Sequence, residues 1–116
     1  MNGELIFKKI VKRNGVIAEF QVEKIEHAIF KAMRAIGNPN RAKAKALSIE
    51  VLQKLIEKQQ TEYPTVEQVQ DIVEKVLFEQ ESFELVKAYL LYRKQREQSR
   101  NAKELFGNID AMDDYL

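Results

Sequence analysis

The 116-residue chain predicts a mainly helical α+β domain, a four-helix bundle capped at one end by a small three-stranded sheet. Three observations lead there. Asn14-Gly15 lies between two apolar runs, a strong local signal for a β-hairpin. From Val22 onward the apolar residues recur every three or four positions, the spacing that puts them on one face of a helix. The breaks in that period fall at turn residues, which divides the remainder into four helices, each with one apolar stripe to bury.

Leu5 to Val11 and Val16 to Phe20 read as the hairpin strands, joined by a two-residue Asn-Gly turn. The first helix carries Val22, Ile25, Ala28, Ile29, Ala32, Met33 and Ile36 on its inner face and stops at Gly37, with Asn38-Pro39-Asn40 as the turn. The second runs from about Arg41 to Gln59, with Leu47, Val51, Leu52, Leu55 and Ile56 on one side and an Ala- and Lys-rich first half as its more exposed end. Thr61-Glu62-Tyr63-Pro64 breaks it and supplies an extended segment suited to pair with the hairpin as the third strand.

Thr65-Val66-Glu67-Gln68 is a capping-box pattern ahead of Val69, Ile72, Val73, Val76 and Leu77, so a third helix starts there and ends near Glu81. Ser82 can cap the fourth, whose inner face uses Phe83, Val86, Tyr89 and Leu90 before the polar stretch Arg93 to Arg100. Residues 1–98 therefore form the domain. Residues 99–116, where the period fades and the chain reads Asp113-Asp114-Tyr115-Leu116, read as a linker toward something absent here.

Composition narrows the function. With 19 basic and 18 acidic side chains the formal charge is +1, so no single-sign field steers the chain onto nucleic acid. The chain has no cysteine, which removes disulfides, thiolate metal sites and cysteine nucleophiles. No apolar run reaches the roughly 18 residues of a membrane span, and the start lacks the pattern of a signal peptide, so the expectation is a soluble cytoplasmic protein.

Catalysis is not expected. His27, the sole histidine, has no second ligand at metal spacing and reads as a structural or surface residue. Glu79, Glu81 and Glu84 are dispersed among lysines and glutamines and read as solvated faces. Nor does Asn14-Gly15 have the glycines or the following Lys-Ser/Thr of a phosphate-binding P-loop.

Binding of a polyanion is better supported. Lys12 and Arg13 stand at the turn end of the first strand, and Lys24 falls in the first turn of the first helix. Unpaired N–H groups and the helix dipole already favour an anion at such a terminus. Arg93 and Lys94 form a second basic cluster late in the fourth helix, which bundle geometry can return to the hairpin end. The plainer reading is dipole compensation and solubility for these two, and an ordinary solvated hairpin for the first three.

Taken together these pieces resemble the ATP-cone domain, a nucleotide-sensing module at the N-terminus of many ribonucleotide reductases and in the repressor of their genes. The resemblance covers about Ile10 to Gln98. It is carried by Val11-Lys12-Arg13-Asn14-Gly15, by Phe20-Gln21-Val22-Glu23-Lys24-Ile25 with Ala28-Ile29, by Thr65 to Asp71 with Val73-Glu74, and by Ala88-Tyr89 running into Tyr92-Arg93-Lys94. It implies a site for ATP or dATP at the sheet-covered end, with magnesium as a candidate companion of the triphosphate. Lys12, Arg13 and Lys24 match the family's cations near the nucleotide, Lys94 a late phosphate-side cation, and Thr65 a hydroxyl position near the base. Gln21 stands where the family usually has Asp or Asn, and Gln70 is a weaker match.

Residues 101–116 are similar to the segment joining the cone to the catalytic barrel in anaerobic, glycyl-radical ribonucleoside-triphosphate reductases. The resemblance implies a regulatory domain alone, whose partners are ATP or dATP, the catalytic domain of a parent reductase and, with nucleotide bound, a further copy of itself. The competing readings are a nucleotide-responsive transcription-regulator module, weakened by the missing cysteines of a zinc ribbon, and an interaction domain with no ligand.

Overall fold

A computed structural model describes residues 8–12, 14–58 and 63–105, with side chains as far as 102. The element order is β1 (Lys9–Val11), β2 (Ile17–Glu19), α1 (Val22–Ala35), α2 (Arg41–Lys58), α3 (Val66–Gln80) and α4 (Phe83–Leu105). The molecule is mainly helical α+β with a two-stranded antiparallel sheet. Leu5, Ile6 and Phe7, expected in the first strand, lie outside the described residues, as does Arg13.

The hairpin pairs Lys9 with Glu19, Ile10 with Ala18 and Val11 with Ile17. Its loop is three residues long rather than two. The Lys12 N–H donates to Val16 O at 2.8 Å, and the Gly15 N–H donates to Lys12 O at 2.9 Å. Gly15 has φ +86, the left-handed conformation that completes a turn followed by a bulge. Asn14 Oδ1 accepts from the Val16 N–H at 3.0 Å, which explains why Asn precedes Gly here even though the loop is longer.

The expected third strand is represented by one contact row. The Val11 N–H donates to Pro64 O at 2.9 Å, and Val11 forms a single parallel bridge with Thr65. Pro64 has no N–H to extend a ladder, and Thr65 already turns into α3. Thr61 and Glu62 lie outside the described residues.

The helices follow their periodicity. α1 buries Ile25, Ala28, Ile29, Ala32 and Met33, and it ends in a Schellman closure. Asn38 N–H donates to Met33 O at 2.9 Å and Gly37 N–H to Arg34 O at 3.0 Å, with Gly37 at φ +75. Asn40 Oδ1 accepts from the Lys43 N–H at 3.0 Å and so starts α2. The first half of α2 is its more exposed end, as expected, although Ala44, Leu47 and Ser48 are buried within it. α3 carries the expected capping box: Thr65 Oγ1 accepts from Gln68 N–H at 3.1 Å, and Gln68 Oε1 accepts from Thr65 N–H at 2.8 Å.

α4 buries Val86 and Tyr89 as expected but not Phe83 and Leu90, and it adds Leu85. Leu85, Val86 and Tyr89 are buried, whereas Phe83 is 69% exposed and Leu90 43% exposed. Ser82 Oγ accepts from the Leu85 N–H at 3.2 Å, and Phe83 at the first helical position projects past the turn instead of under it. α4 also continues through Leu105, past the polar stretch Arg93 to Arg100.

α1 packs against α2 and α4, and α3 against the same two helices, so each helix has two neighbours. Their buried faces form one core, joined from the sheet by Ile10 at 1% exposure. Polar contacts then link the outer edges. Lys43 pairs with Glu81 at 3.0 Å and Lys54 with Glu79 at 3.7 Å, while Gln80 donates to Glu50 at 2.8 Å. Glu79 and Glu81 therefore hold α2 to α3. Among the described residues no helix is long and apolar enough to cross a membrane.

Candidate nucleotide-binding end

The candidate site begins with the Val11–Thr65 bridge. It lays β1 beside the residue that opens α3, while β2 runs through Phe20 and Gln21 into α1. Two helix N-termini therefore border the hairpin. Each presents the positive end of its dipole, so this end of the molecule favours a negative ligand even before any side chain is counted.

Val11 and Thr65 are brought together directly. Lys12 follows Val11 and is half-buried at the mouth of the turn, with Asn14 and Gly15 exposed beyond it. Gln21 is the N-cap residue of α1 and makes no side-chain capping bond. Lys24 is the third residue of that helix, half-buried, its N–H donated to Gln21 O at 3.0 Å. Gln70, on the second turn of α3, is 1% exposed and faces the core.

The fourth-helix cations take different directions. Arg93 Nη1 lies 3.3 Å from Asp71 Oδ1 and in contact with Glu74 Oε2, both on α3. Burial opposes its charge, but the hydrogen bond and attraction from Glu74, then the hydrogen bond from Asp71 and the attraction of Tyr89, outweigh it and raise its pKa. Asp71 is six residues past Thr65 and Glu74 nine, so Arg93 sits about 9–14 Å along α3 from the cap, at 1.5 Å per residue. Lys94 instead lines a groove between α1 and α4 that also contains Lys31 and Arg96. The two neighbours thus serve different faces of α4.

Asp71 and Glu74 are residues whose role sequence reasoning missed. Their spacing of three puts both carboxylates on one helical face, a signal present in the sequence, but only the packing of α4 shows which cation they receive. Tyr89, one turn before Arg93, is buried, and burial pushes its hydroxyl pKa up. Its ring lies 6.4 Å from that of Tyr92, tilted by 34°.

His27 is exposed on α1, as expected of a surface histidine. Its pKa is lowered by partial burial and by Lys31, Arg41, Arg96 and Arg34. Arg41 stacks 3.9 Å from the Phe30 ring centroid and pairs with Glu26 at 3.7 Å. Among the described residues, no cluster of His, Asp and Glu could hold a metal ion.

The model of the ATP cone domain matches residues 8–98. The vitamin B12-dependent ribonucleoside-diphosphate reductase of Thermoplasma acidophilum is 38% identical over 110 residues, covering 90% of this chain and 14% of that protein. The ribonucleoside-diphosphate reductase subunit alpha of Treponema pallidum is 38% identical over 100 residues, 82% of this chain and 12% of its own. The anaerobic ribonucleoside-triphosphate reductase of Haemophilus influenzae is 31% identical over 106 residues, 87% of this chain and 15% of its own. The chain thus spans about one-seventh of the length of these relatives. A match across nearly all of the described fold, together with relatives of one kind, means that this chain belongs to the ATP-cone domain family found in ribonucleotide reductases.

Proposed function

We propose that this chain is an allosteric nucleotide sensor that binds ATP or dATP at its hairpin end and shifts a ribonucleotide reductase between active and inhibited states. The observation that carries this reading is the Val11–Thr65 bridge, which gathers the hairpin and the N-termini of α1 and α3 at one pole. Lys12, Arg13 and Lys24 are the proposed phosphate contacts, Val11, Asn14 and Gly15 the backbone around them, and Gln21, Thr65 and Gln70 the contacts to sugar and base. Lys94 is proposed as the late cation, with Arg93 holding α4 to α3 through Asp71 and Glu74. Magnesium would accompany the triphosphate as its counter-ion. The ring of helix contacts supports a four-helix bundle as the frame of this site, and the Val11–Thr65 bridge supports a third strand beside the hairpin in its cap.

The energetics suffice. Hydrogen bonds to charged groups contribute about 1.5–3 kcal/mol each, and micromolar affinity needs only about 8 kcal/mol net. Both nucleotides carry the same phosphates, so discrimination must come from the 2′-hydroxyl. The roughly 1–3 kcal/mol typical of allosteric coupling is within reach of one such contact. A ligand that bound both states equally would shift nothing.

The relatives' names support a catalytic domain as the partner that reads this signal, with residues 99–116 as the connection and nucleotide-dependent self-association as a further output. Calorimetry with ATP and with dATP tests the binding. Lys12→Ala, Arg13→Ala and Lys24→Ala each weaken both nucleotides while the thermal midpoint without ligand stays in place. Unchanged affinity in all three removes the site from the hairpin end, and no heat with either nucleotide favours an interaction domain without ligand.

A further inference from the structure

We propose that the groove between α1 and α4 is a docking surface for an acidic amphipathic helix of a partner protein. The groove has a volume of ≈ 990 Å³, and Ala32 and Ala35 of α1 line it opposite Ala88 and Leu91 of α4. The alanines let a second backbone come close. Leu91 is 57% exposed there, a large apolar side chain left open on a helix face. Along α4 the lining runs from Glu84 to Ser99, about 22 Å at 1.5 Å per residue, which accommodates about four turns of a bound helix.

Charge decides the kind of helix. Lys31, Lys87, Lys94 and Arg96 line the groove against Glu84 alone. The other seams carry matched charge: α2 meets α3 through Lys43–Glu81 and Lys54–Glu79, and α4 meets α3 through Arg93 with Asp71 and Glu74. Among the described residues, Lys31, Lys87 and Lys94 pair with no carboxylate. The positive field extends along α1, where burial, then Lys31, Arg41, Arg96 and Arg34, lower the pKa of His27. An apolar channel bordered by cations selects an occupant with an apolar stripe and carboxylates on its flanks. Its concave shape between two helices suits a rod anchored at i, i+3, i+4 and i+7, as when an amphipathic helix lies in a groove. The same face of a second copy is the poorer occupant, since it brings an identical basic rim, and a flat lipid surface does not enter such a channel.

The probes are two synthetic helical peptides of about 15 residues with the same leucine stripe, one flanked by glutamates and the other by lysines. Each is titrated against the full chain without nucleotide, so the outcome is separable from that of ATP or dATP binding. Fluorescence anisotropy should show binding of the glutamate peptide that weakens with salt, and little binding of the lysine peptide. The amide signals of Ala32, Ala88 and Leu91 should shift with the first. Lys31 and Lys87 are exposed, so Lys31→Glu with Lys87→Glu should keep the thermal midpoint. The double variant should bind the glutamate peptide roughly tenfold more weakly and accept the lysine peptide. Equal affinity for the two peptides, no binding of either, or a double variant that binds as the parent does overturns the proposal, as do shifts that miss these three residues. Sedimentation of the chain alone and with anionic phospholipid vesicles supplies the remaining arms. A dimer or a vesicle complex that Leu91→Asp abolishes would assign the groove to a second copy or to lipid and overturn the helical partner.

Discussion

Replacing Thr65 by alanine, serine and aspartate separates its role in folding from its proposed role beside a nucleotide. Thr65 Oγ1 accepts the Gln68 N–H at 3.1 Å, and Gln68 Oε1 accepts the Thr65 N–H at 2.8 Å. Alanine deletes the first bond and leaves the second in place, so the cost should be about 1 kcal/mol, within the 0.5–2 kcal/mol range of N-cap truncations. For a domain of this size that corresponds to a fall of roughly 4–8 °C in the thermal midpoint. Serine keeps the bond and should hold the midpoint near that of the parent.

Aspartate also caps, and its charge suits the helix N-terminus, so Thr65→Asp should be at least as stable as Thr65→Ser. At a distance of about 8 Å and an effective dielectric of about 20, one carboxylate opposes one phosphate charge by about 2 kcal/mol. That is roughly thirtyfold in affinity, at 1.4 kcal/mol per factor of ten. Thermal unfolding followed by circular dichroism reads the first effect and calorimetry with ATP reads the second. A stable Thr65→Asp variant that binds ATP as the parent does would refute the placement of the nucleotide beside Thr65. An unchanged midpoint for Thr65→Ala would refute the capping argument itself.

Ile10 ties the sheet to the helical core at 1% exposure, so Ile10→Ala should cost about 2–5 kcal/mol in urea unfolding, and Ile10→Val about 0.5–1.5 kcal/mol; equal midpoints for Ile10→Val and the parent would mean the sheet is not anchored there. Arg93→Ala should destabilise the domain by about 1–2 kcal/mol, because it leaves Asp71 and Glu74 without their shared cation. In a double-mutant cycle with Glu74→Gln the two losses should couple, and simple additivity would show that the contact contributes nothing. Burial raises the folded pKa of Tyr89 above its ordinary value of about 10, so stability held below that pH should decline as pH rises above it. Tyr89→Phe should therefore resist alkaline unfolding better than the parent, and an identical alkaline midpoint would remove Tyr89 as its source.

Much of this molecule was legible as one-dimensional pattern. The inner faces of α1 and α3, the Gly37 stop and the capping box at Thr65 depend on spacings of three and four residues, or on the backbone preferences of single residue types. Such features are local, so the amino-acid order alone determines them. The hairpin was legible for the same reason, although its loop length was not. Asn-Gly suits a two-residue turn and also the end of a three-residue one, and the choice depends on which strand residues pair. The face of α4 was read correctly at Val86 and Tyr89 but not at its edges, because Phe83 and Leu90 carry as much hydrophobicity as Leu85. Only the packing of α4 against α1 and α3 decides which of them is covered.

For the candidate site, the division is sharper. Residue types and order established that cations stand at the turn and in the first turn of α1, and their combination carried the family resemblance. Which distant groups meet was decided by tertiary packing alone. Val11 reaches Thr65, Arg93 turns to Asp71 and Glu74, and Lys94 faces the α1–α4 groove instead. Neighbours on a helix are separated by about 100° of rotation, so adjacent basic residues can serve different surfaces. No local period records which surface each one meets, because that depends on how four amphipathic helices share one core.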